Sequence, residues 1–318
     1  MVQILTTREV DLIDNQARKP ATQPLDFSWI PFVQVQDAYT YKDYTMQRVE
    51  PPRGSPLGEH FHGVSSGKTE TERPFITFRY EWSINKTDLR IASQNGYDII
   101  GKNTMMMRSG VEHSIMALIL QGTGATTTTD LPDISGMLDV GEDVDAALDD
   151  DTWSTATKPV FHASTGFDDL VANNYFGPYG WILSRNLESG LYALNNAANP
   201  RTHLEIIRSG YVTGPITFFS NGASAYGSGG YTIHPLPAAT ADDGVWIMYA
   251  PNNGDGERNF FVAQVSKGIE TTVPDRLDDN NRYSISMEWR GTPVFRGATT
   301  GSAASAPYIV YEPDVDLA

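Results

Sequence analysis

The clearest pattern along the chain is a change of hydrophobic period between positions 74 and 124. Apolar residues first alternate with polar ones, as in a strand with one covered face. From about Ile99 they recur every three or four positions, as on one face of a helix, until Gly122 ends the run. The pattern predicts a strand that leads into a helix of about 23 residues, roughly 35 Å long. The two apolar sets are Ile76, Phe78, Tyr80 and Trp82, and then Met107, Val111, Ile115, Leu118 and Ile119.

The residues before this region predict an extended arm and a hairpin. Residues 1–38 are punctuated by prolines, with one short helix expected from Thr7 to Ala17. Residues 39–49 and 73–84 read as two strands that flank a tip rich in Pro, Gly and Ser. Because an isolated hairpin of this length cannot bury its own faces, we expect it to pack on another subunit.

Beyond the long helix, a polar stretch from 125 to 159 precedes alternating helices and strands. Ser164 or Thr165 is placed to cap a helix that has Asp168 and Asp169 in its first turn. GWILS predicts a buried strand, RNLESGLYAL an amphipathic helix and HLEII another strand. Near the C-terminus, RYSISMEWRGTPVFR and APYIVYEP alternate again and predict two further strands.

This order of elements resembles the Hong Kong 97-type capsid fold, which tailed-virus major capsid proteins share with encapsulin nanocompartments. In that family an E-loop hairpin returns through a strand into the spine helix of the P-domain, and ALILQGTG at 117–124 resembles the end of that helix. Residues 178–216 resemble the A-domain, which gathers around hexamer and pentamer centres. The resemblance implies an α+β fold with an N-terminal arm (1–38), an E-loop hairpin (39–84), a P-domain (85–158) with a spine helix at about 99–121, an A-domain (159–276) and returning P-domain strands (277–318).

Composition and charge limit the kinds of site and the cellular environment that the chain can have. The 318 residues contain no cysteine, so disulfides and thiolate metal sites are excluded. No apolar run reaches membrane-spanning length, and the N-terminus lacks the layout of a secretory signal. The net charge of −16 argues against a broad basic surface for nucleic acid and favours a saline, haloarchaeal cytoplasm, where salt screens self-repulsion. The alternative is an ordinary acidic protein.

The sequence contains few residues in patterns typical of metal binding or catalysis. His60 and His62, with Glu59 beside them, form a possible metal pair, but no third ligand is evident nearby. The acidic run from Asp139 to Asp151 lacks the ligand spacing of an EF-hand and reads as a solvated face. Ser184 lacks the flanking glycines of a nucleophile elbow. We therefore expect no catalytic residues, no cofactor and no bound metal.

The resemblance implies a major capsid protein of a tailed virus that assembles as pentamers and hexamers of an icosahedral shell around double-stranded DNA, and the acidic charge favours a haloarchaeal host. Its implied partners are copies of itself, with scaffolding, portal or decoration proteins, and its location is the virion after assembly in the host cytoplasm. An encapsulin-type shell is the first alternative and a metal-dependent hydrolase the second. The residues expected to contact neighbouring subunits are Trp29, Phe32, His60, Phe61, His62 and Phe75.

Overall fold

Strands and helices alternate along the part of the chain that the computed structural model describes. That part comprises residues 25–36, 40–46, 68–94, 99–123, 132–144, 153, 158–196, 199–222, 234–237, 243–252, 256–265, 267–272, 282–296 and 306–316. The strands are β1 (Phe32–Gln34), β2 (Thr40–Met46), β3 (Lys68–Pro74), β4 (Ile76–Asn85), β5 (Glu142–Asp143), β6 (Gly180–Ser184), β7 (Leu194–Asn196), β8 (Asn199–Thr202), β9 (Ile216–Phe219), β10 (Asp243–Tyr249), β11 (Phe260–Gln264), β12 (Glu270–Thr272), β13 (Arg282–Phe295) and β14 (Ile309–Asp316). The helices are α1 (Lys86–Gln94), α2 (Ile99–Gln121), α3 (Met137–Val140), α4 (Lys158–Ala172), α5 (Glu188–Leu191, after a 3-10 turn at Arg185–Leu187) and α6 (His203–Gly210).

The first sheet is built around the long strand β13. It has the order β1-β11-β13-β12, and β4 also pairs with β13, antiparallel from Arg282 opposite Asn85 to Gly291 opposite Ile76. Alternate residues of β13 are buried in its first half, as expected for a strand with one covered face. The ring of Phe78 on β4 stacks on Trp289 of β13 with centroids 5.9 Å apart. Helix α2 packs on β4 and β13, so two elements far apart in sequence form one layer beneath it.

Helix α2 confirms the predicted long helix, with 23 residues from Ile99 to Gln121. Its predicted apolar face is buried in the core. Gly122 ends the helix in the left-handed conformation, with φ +68°, and its N–H donates to Leu118 O. The chain then meets the segment before α3, where Thr123 N donates to Ile134 O at 2.8 Å. The helix end is therefore fixed by backbone contacts to α3.

The second sheet has the order β5-β14-β10-β6-β9 and packs against helix α4, which in turn contacts α6. All five residues of β6 are buried, which confirms the buried strand predicted from GWILS. Gly166 of α4 lies against the Trp246 ring of β10, where an added Cβ would be 3.0 Å from the nearest ring atom. The predicted C-terminal strands are also confirmed, as β13 and β14.

Two local predictions after residue 160 are wrong. HLEII forms the start of helix α6, because Thr202 and Glu205 make a capping box: the Thr202 hydroxyl accepts the Glu205 N–H, and the Glu205 carboxylate accepts the Thr202 N–H. Ser164 and Thr165 do not cap a helix, since α4 already begins at Lys158. Their hydroxyls instead donate to the backbone oxygen of Phe161 within that helix.

The predicted hairpin is present, but its second strand is divided. β2 pairs with β3 in antiparallel register, from Thr40 opposite Pro74 to Met46 opposite Lys68. At Phe75 the chain leaves this ribbon, and β4 joins the first sheet through β13. The helix expected at Thr7–Ala17 lies outside the described residues.

Candidate functional site

The β2–β3 ribbon is one of two two-stranded sheets in the described part of the chain. Its strands pair only with each other among the described elements, so the ribbon has two open edges. Lys42 and Glu72 form an exposed ion pair across it, with Nζ and Oε1 3.0 Å apart. A two-stranded ribbon is marginal alone in water. A ribbon of this kind gains stability when it packs on another element.

The base of this ribbon is fixed to the first sheet. Arg73 is buried, and its Nη2 donates to Phe295 O at 2.7 Å. The Tyr41 ring meets the Phe261 ring edge to face, with centroids 5.9 Å apart. Phe75 and Tyr41 pack against a small apolar cluster that includes Phe261 and Val294. The base is therefore set by the subunit's own contacts.

The predicted contact residues have different surroundings. Trp29 is only 7% exposed within the single chain, with its ring 5.4 Å from Tyr249 and 6.0 Å from Phe260. Trp29 is therefore buried by the core between the two sheets without any neighbouring subunit, and a contact of Trp29 with another subunit stays a prediction. Phe32 and Phe75 are half-buried, and a role for them between subunits stays a prediction. His60, Phe61 and His62 lie outside the described residues.

Ser184, considered as a nucleophile, has a backbone role. Its hydroxyl donates to Val245 O at 3.0 Å and accepts the Val245 N–H at 2.6 Å. Val245 lies where the register between β10 and β14 shifts. The fully buried serine thus replaces a backbone partner at this irregularity in the sheet.

Three described histidines also make contacts within the fold. His113 Nδ1 lies 2.7 Å from Ser109 O, and His203 Nδ1 lies 2.9 Å from Gly190 O. Because carbonyl oxygens only accept, both nitrogens are donors there. His162 is fully buried, and its Nδ1 accepts the Trp246 Nε1–H at 3.1 Å. The His162 and His203 rings hold neighbouring elements together, whereas His113 bonds within helix α2.

The described part of the acidic stretch lies around β5 and α3. Burial raises the pKa of Asp139, the Gly136 N–H that its carboxylate accepts lowers it, and Asp133 raises it further. Burial also raises the pKa of Tyr311, and so do the nearby carboxylates, first that of Asp143. No group of three or more His, Asp or Glu side chains within the described ranges is placed to hold a metal ion. The rest of the acidic run, 145–151, lies outside those ranges.

The sequence analysis missed a set of large apolar side chains at the surface. The amphipathic helix predicted from RNLESGLYAL is shorter than expected, because α5 ends at Leu191; Tyr192 lies beyond it and Leu194 begins β7. Phe176 follows α4, in a short connection before β6. The prediction that Tyr80 lies on the covered face of its strand is wrong, because its side chain is 53% exposed. The exposed set comprises Tyr80, Ile91, Met106, Phe161, Val171, Phe176, Tyr192 and Leu194.

Comparisons with known proteins give the fold a wider context. No protein-family model and no curated protein sequence matches the chain. Solved structures do match, over nearly the whole length of both chains. The capsid of Myoviridae phage XM1 matches with a TM-score of 0.62 at 12% identity, covering 98% of this chain and 99% of that one. A chain from Mycobacterium phage Ogopogo matches with a TM-score of 0.55 at 14% identity, covering 99% and 93%.

A third match is the capsid of an empty GTA particle, with a TM-score of 0.55 at 10% identity, covering 98% of this chain and 99% of that one. At such low identity these matches show the fold. The chain has the mixed α and β architecture of phage capsid structures.

No helix in the described part of the chain is long and apolar enough to cross a membrane.

Proposed function

We propose that the chain is a major capsid protein of a tailed virus. Copies of it assemble as pentamers and hexamers into an icosahedral shell around double-stranded DNA. The observation that carries this proposal is the fold match to a phage capsid over 98% of this chain and 99% of the other.

The finer architecture of the proposal is that of the Hong Kong 97-type subunit. Helix α2 is the spine of a P-domain at 85–158, and the β2–β3 ribbon belongs to an E-loop at 39–84. Residues 1–38 form an arm, 159–276 an A-domain around capsomer centres, and 277–318 the returning strands of the P-domain. The open edges of the ribbon and its fixed base support this assignment, because such a ribbon is stabilised by lying on a neighbour.

The contacts of the candidate nucleophile Ser184 and of two buried histidines support a structural role over an enzymatic one. Ser184 and His162 each make fold contacts with β10, and His203 contacts the turn at Gly190. An active site requires such groups to converge on one accessible point. Here each one is buried and serves a different backbone segment or ring.

The setting of the virion is also part of the proposal. A net charge of −16 per subunit fits a virus of a haloarchaeal host, because molar salt screens repulsion between neighbouring copies. Assembly takes place in the host cytoplasm, and scaffolding, portal or decoration proteins complete the particle. The shell encloses its DNA without sequence-specific contacts, since the chain has few basic residues to neutralise phosphates.

The direct test is to express the full chain and examine the product by electron microscopy in about 2 M sodium chloride. We expect closed icosahedral particles of uniform size. A product that stays monomeric under all salt conditions contradicts the proposal. Native particles that carry an enzyme and no DNA would point to an encapsulin-type compartment instead, whereas particles with packaged DNA and tails support the viral assignment.

A further inference from the structure

The inner face of helix α4 carries a buried histidine whose hydrogen bond fixes its protonation state. His162 is fully buried, and its Nδ1 lies 3.1 Å from Trp246 Nε1. An indole N–H only donates, so Nδ1 of His162 accepts and carries no hydrogen. The ring is therefore neutral, with its hydrogen on Nε2. An imidazolium carries hydrogen on both nitrogens and cannot accept the Trp246 bond.

The Trp246 indole is held in place on several sides. Gly166 of α4 lies against it, since an added Cβ there would be 3.0 Å from the ring, and the Trp181 ring on the neighbouring strand is 6.1 Å away. Trp153 closes the group, with its ring 5.7 Å from that of His162 and 6.0 Å from that of Trp181. All four rings are buried. A hydrogen on Nδ1 of His162 would therefore point at a fixed N–H group.

The charged and titratable groups near His162 have both signs. Lys158 lies one turn earlier on α4 and is half-buried, so its charge opposes a second charge on the ring. Glu312 of β14 is fully buried and stands opposite Trp246 of β10, which places its carboxyl on the α4 side of the sheet. On α6, the buried His203 donates through Nδ1 to the backbone of the α5 turn. The other such side chains described on these elements are exposed, half-exposed or on the opposite face of the sheet: Asp168, Asp169, Glu205, Arg208, Tyr249 and Tyr311.

We propose that the contact between His162 and Trp246 is an acid-sensitive switch, which holds α4 on the second sheet while His162 is neutral and releases it when His162 is protonated. A histidine in water takes up a proton near pH 6.5. Below that pH the open form binds this proton, whereas the closed form can do so only by giving up the Trp246 bond and burying a charge. Each further pH unit therefore favours the open form by up to about tenfold.

The sign of the pH dependence follows from these two forms. The contribution of the contact to stability is complete above about pH 6.5 and is lost as the pH falls below it. The switch belongs to the single subunit, so its test does not depend on shell assembly.

The test measures hydrogen exchange by mass spectrometry in full-length, unassembled subunits. Carboxylates ionise near pH 4 and stay largely charged between about pH 5.0 and 7.5, so this window isolates the histidines. With labelling times scaled to equal chemical exchange, residues 158–172 should lose protection at least about tenfold from pH 7.5 to 5.0. Residues 99–121, in helix α2, should change by less than about twofold, because α2 opens separately. No loss in α4, or an equal loss in both helices, overturns the inference.

Matched variants identify the group that senses acid. His162→Asn keeps an acceptor near the Nδ1 position and takes up no proton, so α4 should be equally protected at both pH values. His203→Asn keeps a donor toward Gly190 O and should retain the full acid response. Glu312→Gln removes the buried carboxyl and should retain it too. A response that survives in His162→Asn, or disappears in either of the other two variants, overturns the inference.

A readout on the parent chain covers the case in which His162→Asn fails to fold. In nitrogen NMR of histidine-labelled subunits, the His162 ring is assigned by its contact with the Trp246 indole hydrogen. At about pH 7.5 it should carry hydrogen on Nε2 alone, and on acidification it should become doubly protonated as α4 loses protection. Hydrogen on Nδ1 at pH 7.5, or a doubly protonated ring beneath a protected α4, overturns the inference.

Discussion

The C-terminal end of helix α2 gives a prediction that separates two costs of replacing glycine. Gly122 has φ +68°, and an added Cβ would lie 2.3 Å from Ile134 O and 2.5 Å from Gly136 N. Gly122→Ala therefore combines a left-handed backbone with a clash against backbone atoms that have little freedom to move. Gly256 has φ +79° with no described atom within 4 Å of the added Cβ, so its replacement carries the conformational cost alone. Gly210, the last residue of α6, has neither problem.

The expected changes in the free energy of unfolding follow from these geometries. A left-handed alanine costs about 1–2 kcal/mol, which is the prediction for Gly256→Ala. Displacing packed backbone adds about 1–3 kcal/mol, so Gly122→Ala should lose about 2–5 kcal/mol in total. Gly210→Ala should be neutral or should gain up to about 1 kcal/mol, because alanine restricts the unfolded chain and favours helix.

The assay is equilibrium unfolding of unassembled subunits in urea, followed by tryptophan fluorescence. The slope of unfolding free energy against denaturant should stay constant across the three variants, so that shifts in midpoint report stability alone. If Gly122→Ala costs no more than Gly256→Ala, the contact between the helix end and the segment before α3 does not exist. If Gly210→Ala is as damaging as Gly122→Ala, the geometric reasoning fails altogether.

Four further predictions follow from single contacts and from charge. The Tyr249 hydroxyl is buried without a hydrogen-bond partner among the described residues, so Tyr249→Phe should raise unfolding free energy by about 1 kcal/mol. Burial, and then Asp26, raise the pKa of Tyr249 above its ordinary value of 10.0. The neutral Tyr249 therefore stabilises the fold below pH 10, and this contribution is lost as the pH rises further. Tyr249→Phe should lessen the loss of unfolding free energy at alkaline pH. An unchanged slope of unfolding free energy against pH contradicts this prediction. Ser184→Ala should lower the unfolding free energy by about 1–3 kcal/mol, because Val245 loses both partners; a melting temperature equal to the parent's would refute it. Replacing 47–67 by a short turn should leave a folded subunit that forms no stable shells, and particles as heat-resistant as the parent's would count against the E-loop assignment. Finally, shells should loosen on dialysis from molar salt to about 0.1 M, as seen by light scattering, whereas particles intact at both would remove the support for a halophilic setting.

Interactions between residues close together in the chain explain which elements the sequence determined by itself. The apolar face of α2 repeats over six turns and ends at a glycine, so helix type and both bounds follow from neighbours in the chain. The buried strand β6 and the alternating residues of β13 and β14 are likewise set by period and by apolar runs. The order of these elements resembles that of the capsid fold, although no single motif is diagnostic of it. Helix α6 could also be predicted from the sequence, because Thr202 and Glu205 form a capping box. The apolar residues of HLEII favoured a strand instead, and that prediction is wrong.

Contacts between distant segments decided the rest. Nothing near Phe75 shows that the chain leaves one ribbon there and joins another sheet, because β4 finds its partner in β13, two hundred residues later. Trp29 is a core residue only because Tyr249 and Phe260 meet it between the sheets. Periodicity reports which face of an element is covered, whereas only tertiary packing determines which element covers it and which apolar side chains stay exposed for a neighbour.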